Sequence, residues 1–169
     1  MKKLLLMRHA KSDWSTPGQQ DFDRPLNARG RDAAPLMGKF LHQTDNIPDF
    51  ILASPAKRVV ETIDGMASSW ESRANLEYID DMYSGNSGVY LESIRKSADH
   101  ADTLMLAGHN PTVEETALKI CTQSRVSQFF KFPTAAIACF ELPDISWKRI
   151  QPESGTLKWF VTPKLLKHL

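Results

Sequence analysis

The first twelve residues, MKKLLLMRHAKS, decide how the rest of the chain is interpreted. The mostly apolar segment 2–7 has the length of a buried strand, and Arg8 and His9 follow it without a spacer. Ligands of open α/β sheets bind beyond the carboxyl ends of the strands, which is where this pair would stand. A cation beside an imidazole at that edge suits an anion such as phosphate. An isolated Arg-His pair is more typical of an ordinary surface, so the interpretation depends on the later segments of the chain.

Three later segments each place a phosphate-binding or proton-handling side chain where a strand or loop is predicted to end. They are residues 23–26 (DRPL), 54–58 (SPAKR) and 108–111 (GHNP). Because the carboxyl ends of parallel strands meet at one edge of a sheet, Arg24, Arg58 and His109 are expected near Arg8 and His9.

Apolar runs alternate with stretches of helical spacing along most of the chain. This alternation predicts an α/β fold with three layers, α/β/α, around a mostly parallel central sheet of about six strands. The 169 residues suit a single domain spanning 1–169. After segment 2–7, the predicted strands are 50–53, 76–79, 102–107, 135–140 and 159–163.

Local signals set several helix boundaries. Asn27 is expected to cap a helix, and Pro35 to kink or restart that helix. Ser54 and Pro55 are typical of a cap followed by proline at the first helical position. A later helix is predicted over residues 89–98, with Ala98 on its apolar face.

The composition is that of a globular protein that binds neither nucleic acid nor membranes. Hydrophobic residues make up 41% and charged residues 24%, with 21 basic and 20 acidic side chains and a net charge of +1. No run approaches the ~20 apolar residues of a membrane span, and the apolar start stops at Arg8, short of a signal peptide. Cys121 and Cys139 form no CxxC pair and are expected to be reduced thiols. We therefore predict a cytoplasmic protein.

The candidate site combines a nucleophile with a clamp for phosphate. Arg8, Arg24 and Arg58 offer planar forks of N–H groups that match phosphate oxygens, although each could also be a solvated or ion-paired arginine. His9 can attack phosphorus if it is neutral, and neighbouring arginines would lower its pKa. His109 could donate to a phosphate oxygen, or serve only as a loop or capping residue. The remaining histidines are predicted to lie at the surface: His42, His100 and His168.

A proton donor for the leaving group is the least defined part of the site. Asp80 and Asp81 follow the third predicted strand, and Asp81 is preferred, although both could be ordinary acids at a strand end. Glu61 is a further candidate, but one turn beyond Arg58 it more readily pairs with a cation. The histidines lack metal-ligand spacing, and the sequence contains neither GxxxxGK[ST] nor GxGxxG, so no metal and no cofactor are expected.

Taken together and in this order, these motifs resemble the histidine phosphatase superfamily, which has a phosphoglycerate mutase-like fold. They are most similar to its short bacterial branch of SixA-type phosphohistidine phosphatases. The resemblance rests on RHAKS (8–12), RPL (24–26), SPAKRVVET (54–62) and GHNP (108–111), and it extends over nearly the whole chain.

The resemblance implies a role for each matched residue. His9 would be phosphorylated, and Arg8, Arg58 and His109 would complete the phosphate pocket, with Arg24 in its lining loop. Two positions depart from the pattern of the superfamily. Ala10 replaces the commoner glycine, as is frequent in this branch, and no glutamate stands where the larger enzymes place their proton donor.

These features predict a metal-independent phosphatase that forms a phosphohistidine intermediate and acts on phosphohistidine in a protein partner. A phosphomonoesterase for a small phosphorylated metabolite is the alternative within enzymes. A non-catalytic phosphate-recognition module is a second alternative. An interaction protein that uses exposed Trp14, Trp70 or Trp147 is a third.

Overall fold

The computed structural model of the chain describes residues 1–70, 74–97, 99–121 and 131–168. Within them a central sheet is flanked by helices. The strands are β1 (Lys2–Arg8), β2 (Phe50–Ala53), β3 (Asn75–Tyr78), β4 (Thr103–Gly108), β5 (Ile137–Leu142) and β6 (Thr156–Val161). The helices are α1 (Ala28–Gln43), α2 (Lys57–Ala67), α3 (Asp81–Ser84), α4 (Ser87–Lys96), α5 (Thr112–Ile120) and α6 (Pro163–Leu166), with short 3-10 helices at Asp21–Asp23 and Trp147–Arg149.

The sheet is mostly parallel, as the sequence predicts. Its strand order is β3-β2-β4-β1-β5-β6, and β1, β2, β3 and β4 run parallel. β5 is antiparallel to both β1 and β6. β4 returns between β1 and β2 and pairs Gly108 with Arg8 and Ala107 with Ala53. The residues that come after these three strands therefore stand side by side at one edge of the sheet.

Alternate side chains of β1 enter two separate cores, one on each face of the sheet. Leu4 and Leu6 join the core beneath α4 and α5, whereas Leu5 and Met7 join the core beneath α1 and α2. A central strand that is buried on both faces has a continuous apolar sequence, which explains the pattern of segment 2–7. The three layers of the predicted fold are thus confirmed.

Most strand boundaries fall within a few residues of the predicted ones. The fifth strand begins at Ile137 rather than at residue 135, because Ala135 has a positive φ of 64° and turns the chain toward β1. Its N–H donates to the carbonyl oxygens of Arg8 and His9 at 3.1 and 3.0 Å. β6 already starts at Thr156, where it pairs with Glu141 of β5.

Helix boundaries confirm one local signal and correct others. Asn27 caps α1 by accepting from the N–H of Gly30 at 2.9 Å, and α1 continues through Pro35 without interruption. α2 begins at Lys57, two residues later than predicted, because the N–H of Ser54 still bonds to the carbonyl of Ala107 and so extends β2. The helix predicted over 89–98 is α4, and its predicted apolar residue at 98 lies outside the described residues.

The tryptophans differ in exposure, which corrects one prediction. Trp14 is 64% exposed, whereas Trp70 is half-buried and donates to the carbonyl of Gly38 at 3.1 Å. Trp147 is fully buried rather than exposed, because its indole N–H donates to the carbonyl of Ala101 at 2.8 Å and it packs in the core. Across the described ranges, no helix has the length and apolar character needed to span a membrane.

Candidate active site

His9 stands directly after β1, and one nitrogen of its ring forms no hydrogen bond to the described residues. Its backbone N–H donates to the carbonyl of Gly108 at 3.0 Å, which continues the pairing of β1 with β4. Its Nδ1 lies 2.7 Å from the carbonyl oxygen of Ala10. A carbonyl oxygen only accepts, so Nδ1 carries the proton and Nε2 of the neutral ring keeps its lone pair. The side chain is therefore held in the tautomer that a nucleophile at Nε2 requires.

His109 occupies the equivalent position after β4, and its ring centroid is 5.3 Å from that of His9. The guanidinium of Arg58 lies 3.3 Å from its Nδ1. Arginine only donates, so Nδ1 is the acceptor and the single proton of the neutral ring is on Nε2. Nε2 in turn donates to the hydroxyl of Ser54 at 2.7 Å. The ends of β1, β2 and β4 thus join in one cluster.

Tyr90 of α4 holds the backbone of His109 in place through a hydrogen bond. Its hydroxyl accepts from the His109 N–H at 3.2 Å and donates to the carbonyl of Met82 at 3.1 Å. Burial raises the pKa of Tyr90 to about 12, so this hydroxyl keeps its proton. A Cβ at position 108 would lie 2.0 Å from the hydroxyl oxygen, which explains why glycine precedes His109.

Both histidines are neutral at physiological pH. Burial lowers the pKa of His9 to about 4, with a further lowering by the charges of Arg58 and Arg8. Burial, followed by the neighbouring His9 and Arg58, lowers the pKa of His109 to about 3. The two residues are only 7% and 8% exposed, so solvent does little to offset these effects.

Arg58 is the centre of a hydrogen-bond network that the sequence did not reveal. It donates to the backbone carbonyl of Asp21 at 2.6 Å and to its carboxylate Oδ2 at 2.9 Å. The hydroxyl of Tyr83 donates to the same Oδ2 at 2.9 Å. The Tyr83 ring also packs edge-on against His109, with centroids 5.7 Å apart. Asp21 and Tyr83 belong to the site although neither directly follows a strand.

Asp21 is ionised in this network. Partial burial raises the pKa of its carboxyl, but the hydrogen bonds from Tyr83 and Arg58 and the charges of Arg58 and Arg24 lower it more, to a net value below its ordinary range. The carboxylate therefore acts as an acceptor for the surrounding donors and not as a proton donor at neutral pH.

Arg8 and Arg24 bring further positive charge. Arg8 donates to the carbonyl of Phe132 at 2.8 Å, and Arg24 stacks over the Trp14 ring at 4.0 Å. In the described part of the chain, Nε of Arg8 and both Nε and Nη1 of Arg24 are buried without a hydrogen-bond partner. Buried donors of a charged group require an acceptor, and the oxygens of a phosphate would supply it.

Asp81 is not brought together with the other predicted site residues. It is exposed at the first position of α3 and lines a groove of about 530 Å³ with Glu77 and Glu92. Residues two apart on a helix face different directions, so Tyr83 faces the site while Asp81 does not. Glu61 accepts from the N–H of Leu26 at 2.6 Å, which differs from the predicted pairing with a cation.

The other predicted surface and thiol residues agree with the structure. His42, His100 and His168 are exposed. Cys121 and Cys139 are free and buried. Among the residues described, no three His, Cys, Asp or Glu side chains are placed to hold a metal ion.

The site therefore combines a neutral imidazole that presents Nε2, a second imidazole beside it, and three arginines, two of which have buried donors without partners among the described residues. Such a set can place a nucleophile against a phosphoryl group and stabilise the negative charge on its oxygens. Asp21 is the carboxylate that contacts this set through Arg58 and Arg24.

Known proteins share both the sequence pattern and the fold. The family model of the histidine phosphatase superfamily (branch 1) matches residues 4–109. An uncharacterised protein of Mycobacterium tuberculosis is 31% identical over 166 residues, covering 94% of this chain and 100% of that protein. A structure from Agrobacterium tumefaciens, provisionally assigned as the phosphohistidine phosphatase SixA, is 30% identical with a TM-score of 0.82, covering 96% and 98% of the two chains. The protein histidine phosphatase SixA in complex with tungstate has the same fold, with a TM-score of 0.80 at 22% identity, covering 97% and 99%.

Proposed function

The chain belongs to the histidine phosphatase superfamily, in its short SixA-type branch, and is therefore a phosphatase. We propose that it uses His9 as the nucleophile and removes phosphate from a phosphohistidine side chain of another protein. The observation that carries this proposal is the 2.7 Å contact between Nδ1 of His9 and the Ala10 carbonyl, which leaves Nε2 unprotonated. We take residues 1–169 as one catalytic domain that works without a cofactor or metal, and we place it in the cytoplasm on the sequence signals.

In the first step, Nε2 of His9 attacks the phosphorus in line. The new P–Nε2 bond forms as the P–N bond of the substrate breaks, and the substrate imidazole leaves. In the second step, water attacks phospho-His9, the P–Nε2 bond breaks, and inorganic phosphate is released while Nε2 regains its lone pair. The carbonyl of Ala10 holds the Nδ1 proton throughout, so the ring can carry the positive charge of the intermediate.

Arg8, Arg24, Arg58 and His109 would hold the phosphate oxygens. In the neutral form His109 has only the Nε2 proton, which is donated to Ser54. A phosphate dianion beside this ring would oppose the effects that lower its pKa and favour a second proton on Nδ1. His109 would then give up the hydrogen bond that Nδ1 accepts from Arg58, donate from Nδ1 to phosphate and keep its bond to Ser54.

A phosphohistidine substrate suits this site, because the carboxyl of Asp21 is ionised at neutral pH and does not serve as a proton donor. A substrate imidazole protonated on its other nitrogen leaves as a neutral molecule, so it needs less help from an acid than an alkoxide does. Asp81 remains the sequence's prediction for the acid, and its position in a separate groove makes a substrate with a good leaving group the better match. The 30% identity to the Agrobacterium structure supports the same substrate class.

The test compares wild-type protein with His9→Ala, and with His42→Ala as an exposed-histidine control. Each is incubated with a phosphohistidine-bearing protein and with para-nitrophenyl phosphate in the presence of a chelator, and phosphate release is measured over time. We expect wild type and His42→Ala to release phosphate in the presence of the chelator and to form an acid-labile phosphoenzyme on His9. His9→Ala should neither release phosphate nor form the phosphoenzyme. Near-normal turnover by His9→Ala would refute the mechanism.

The substrate ratio separates the two enzymatic alternatives. Faster turnover of the phosphohistidine protein supports the proposal, whereas faster turnover of small phosphomonoesters would favour a metabolite phosphatase. Saturable phosphate binding without release from any substrate would indicate a recognition module.

A further inference from the structure

A second cationic pocket lies on the face of the molecule next to the catalytic edge. It has a volume of about 420 Å³ and is lined by Lys11, Arg29, Lys164, Lys167 and His168. No aspartate or glutamate stands among its described lining residues. The whole chain carries a net charge of only +1, so this is a local concentration of positive charge.

The charges of this pocket have no ion-pair partners within the described part of the chain. The ion pairs found there use other cations, and none involves Lys11, Arg29, Lys164 or Lys167. Three separate segments contribute these cations: the chain after β1, helix α1 and the C-terminal helix α6 with the residues after it. Unpaired like charges brought together by folding repel one another, so they are better accommodated when an anion binds between them.

The pocket lining includes residues that are close to His9 along the chain or through a backbone hydrogen bond. Lys11 is two residues beyond His9 on the same segment. Thr134, also in the pocket lining, precedes Ala135, whose N–H donates to the carbonyl of His9 at 3.0 Å. The pocket lining therefore includes residues that lie within two positions of His9 and of Ala135, so a protein segment that enters the active site comes close to the pocket.

We infer that this pocket binds an acidic segment of the phosphorylated protein, with aspartate or glutamate side chains near the phosphohistidine; the inference rests on the proposed function. The donor set favours carboxylates over a second phosphate. Arginine forks are typical of dedicated phosphate sites, but three of the four cations here are lysines. Cations that come from three separate segments suit several carboxylates spread along a peptide.

The test uses two synthetic phosphohistidine peptides of equal length, one flanked by glutamates and one by glutamines at the same positions. Lys164→Glu/Lys167→Glu removes the pocket charge, and Lys39→Glu/Lys119→Glu makes the same change at exposed lysines outside the pocket. We expect wild type and control to prefer the acidic peptide by about 10-fold in kcat/KM at low salt, and the pocket variant to lose this preference. Turnover of phosphoramidate, which is too small to reach the pocket, should be equal in all three proteins.

Binding of the unphosphorylated acidic peptide separates this inference from the proposed function. A fluorescent form of that peptide should bind wild type and control, and bind the pocket variant at least several-fold more weakly, by anisotropy. Phosphate release without a preference for the acidic peptide would overturn the pocket and leave the phosphatase proposal standing. Pocket-dependent peptide binding with no phosphate release would support the pocket and overturn the phosphatase proposal. Displacement of the peptide by tripolyphosphate at concentrations where matched ionic strength has no effect would assign the pocket to a small polyphosphate instead.

Discussion

Arg58 donates to Asp21 twice, at 2.6 Å to the backbone carbonyl and at 2.9 Å to the carboxylate. The arginine proposed to hold phosphate is thus already bound to an anionic side chain of the same chain. The carboxylate and an incoming phosphate carry charge of the same sign and compete for the same donors. Asp21 should therefore weaken phosphate binding, and it should also ease the release of the product.

The first prediction concerns the charge of Asp21. Asp21→Asn keeps an oxygen acceptor for Arg58 and Tyr83 but removes the negative charge. We expect inorganic phosphate to inhibit this variant about 10-fold more strongly, because a charge repulsion of about 1 kcal/mol or more is lost. The measurement is the inhibition constant of phosphate. Asp23→Asn, in the same 3-10 helix and exposed, is the matched control and should leave that constant unchanged.

The second prediction concerns pH and stability. In the folded protein the pKa values of His9 and His109 are lowered to about 4 and about 3, whereas in the unfolded chain they are near 6.5. As pH falls below 6.5, the unfolded state binds protons that the folded state does not, so the free energy of unfolding falls. Between pH 7 and pH 5.5 we expect a loss of about 1 kcal/mol for each of the two histidines.

Urea unfolding at these two pH values measures that loss. Replacing either buried histidine by asparagine should reduce the pH dependence, while His42→Asn at the surface should not. The lowered carboxyl pKa of Asp21 affects stability only at lower pH, below its ordinary range near 3.8, so it does not enter this window. An unchanged pH dependence in both buried-histidine variants would contradict the neutral assignment.

How much of the site is predictable depends on how each residue is positioned. His9 and His109 could be found because each directly follows an apolar strand, and the register that pairs Arg8 with Gly108 brings them together. Asp21 and Tyr83 could not be found, because their contact spans 62 residues and joins a three-residue 3-10 helix to a four-residue helix. Neither segment has a periodic pattern of hydrophobic residues from which the direction of its side chains could be predicted.

The same limit applies to two other predicted residues, Asp81 and Trp147. Asp81 is predicted from its place after a strand, but its direction depends on the helix that starts there. Trp147 is predicted to be exposed. It is buried because its N–H finds the carbonyl of Ala101, a contact across 46 residues that no local pattern encodes.

The third prediction concerns the support of His109 by Tyr90. Gly108→Ala places a Cβ 2.0 Å from the Tyr90 hydroxyl oxygen and must displace that side chain. We expect a loss of about 1–3 kcal/mol in the free energy of unfolding and a lower kcat. Tyr90→Phe removes the hydrogen bonds to Met82 and His109 and should cost about 1 kcal/mol. The double variant should lose less free energy of unfolding than the sum of the two single losses, since part of the clash of Gly108→Ala is with the hydroxyl that Tyr90→Phe removes. Additive effects would show that Gly108 is required for another reason.

The fourth prediction concerns the buried guanidinium donors of Arg24 that make no hydrogen bond to the described residues. Its guanidinium is held over the Trp14 ring at 4.0 Å, and Nε and Nη1 are buried without hydrogen-bond partners among the described residues. Arg24→Lys keeps the charge but removes the planar fork, so we expect kcat/KM to fall by about 10²-fold, mainly through kcat. Trp14→Ala leaves the fork intact and loses the stacking, about 0.5–1 kcal/mol, together with the hydrogen bond from the indole N–H to the Ser12 hydroxyl, so its effect should be a few-fold. Arg149→Lys, at an exposed position outside the site, controls for the substitution itself. If Arg24→Lys lowers kcat/KM no more than Trp14→Ala does, the guanidinium only stacks on the indole and does not hold a phosphate oxygen.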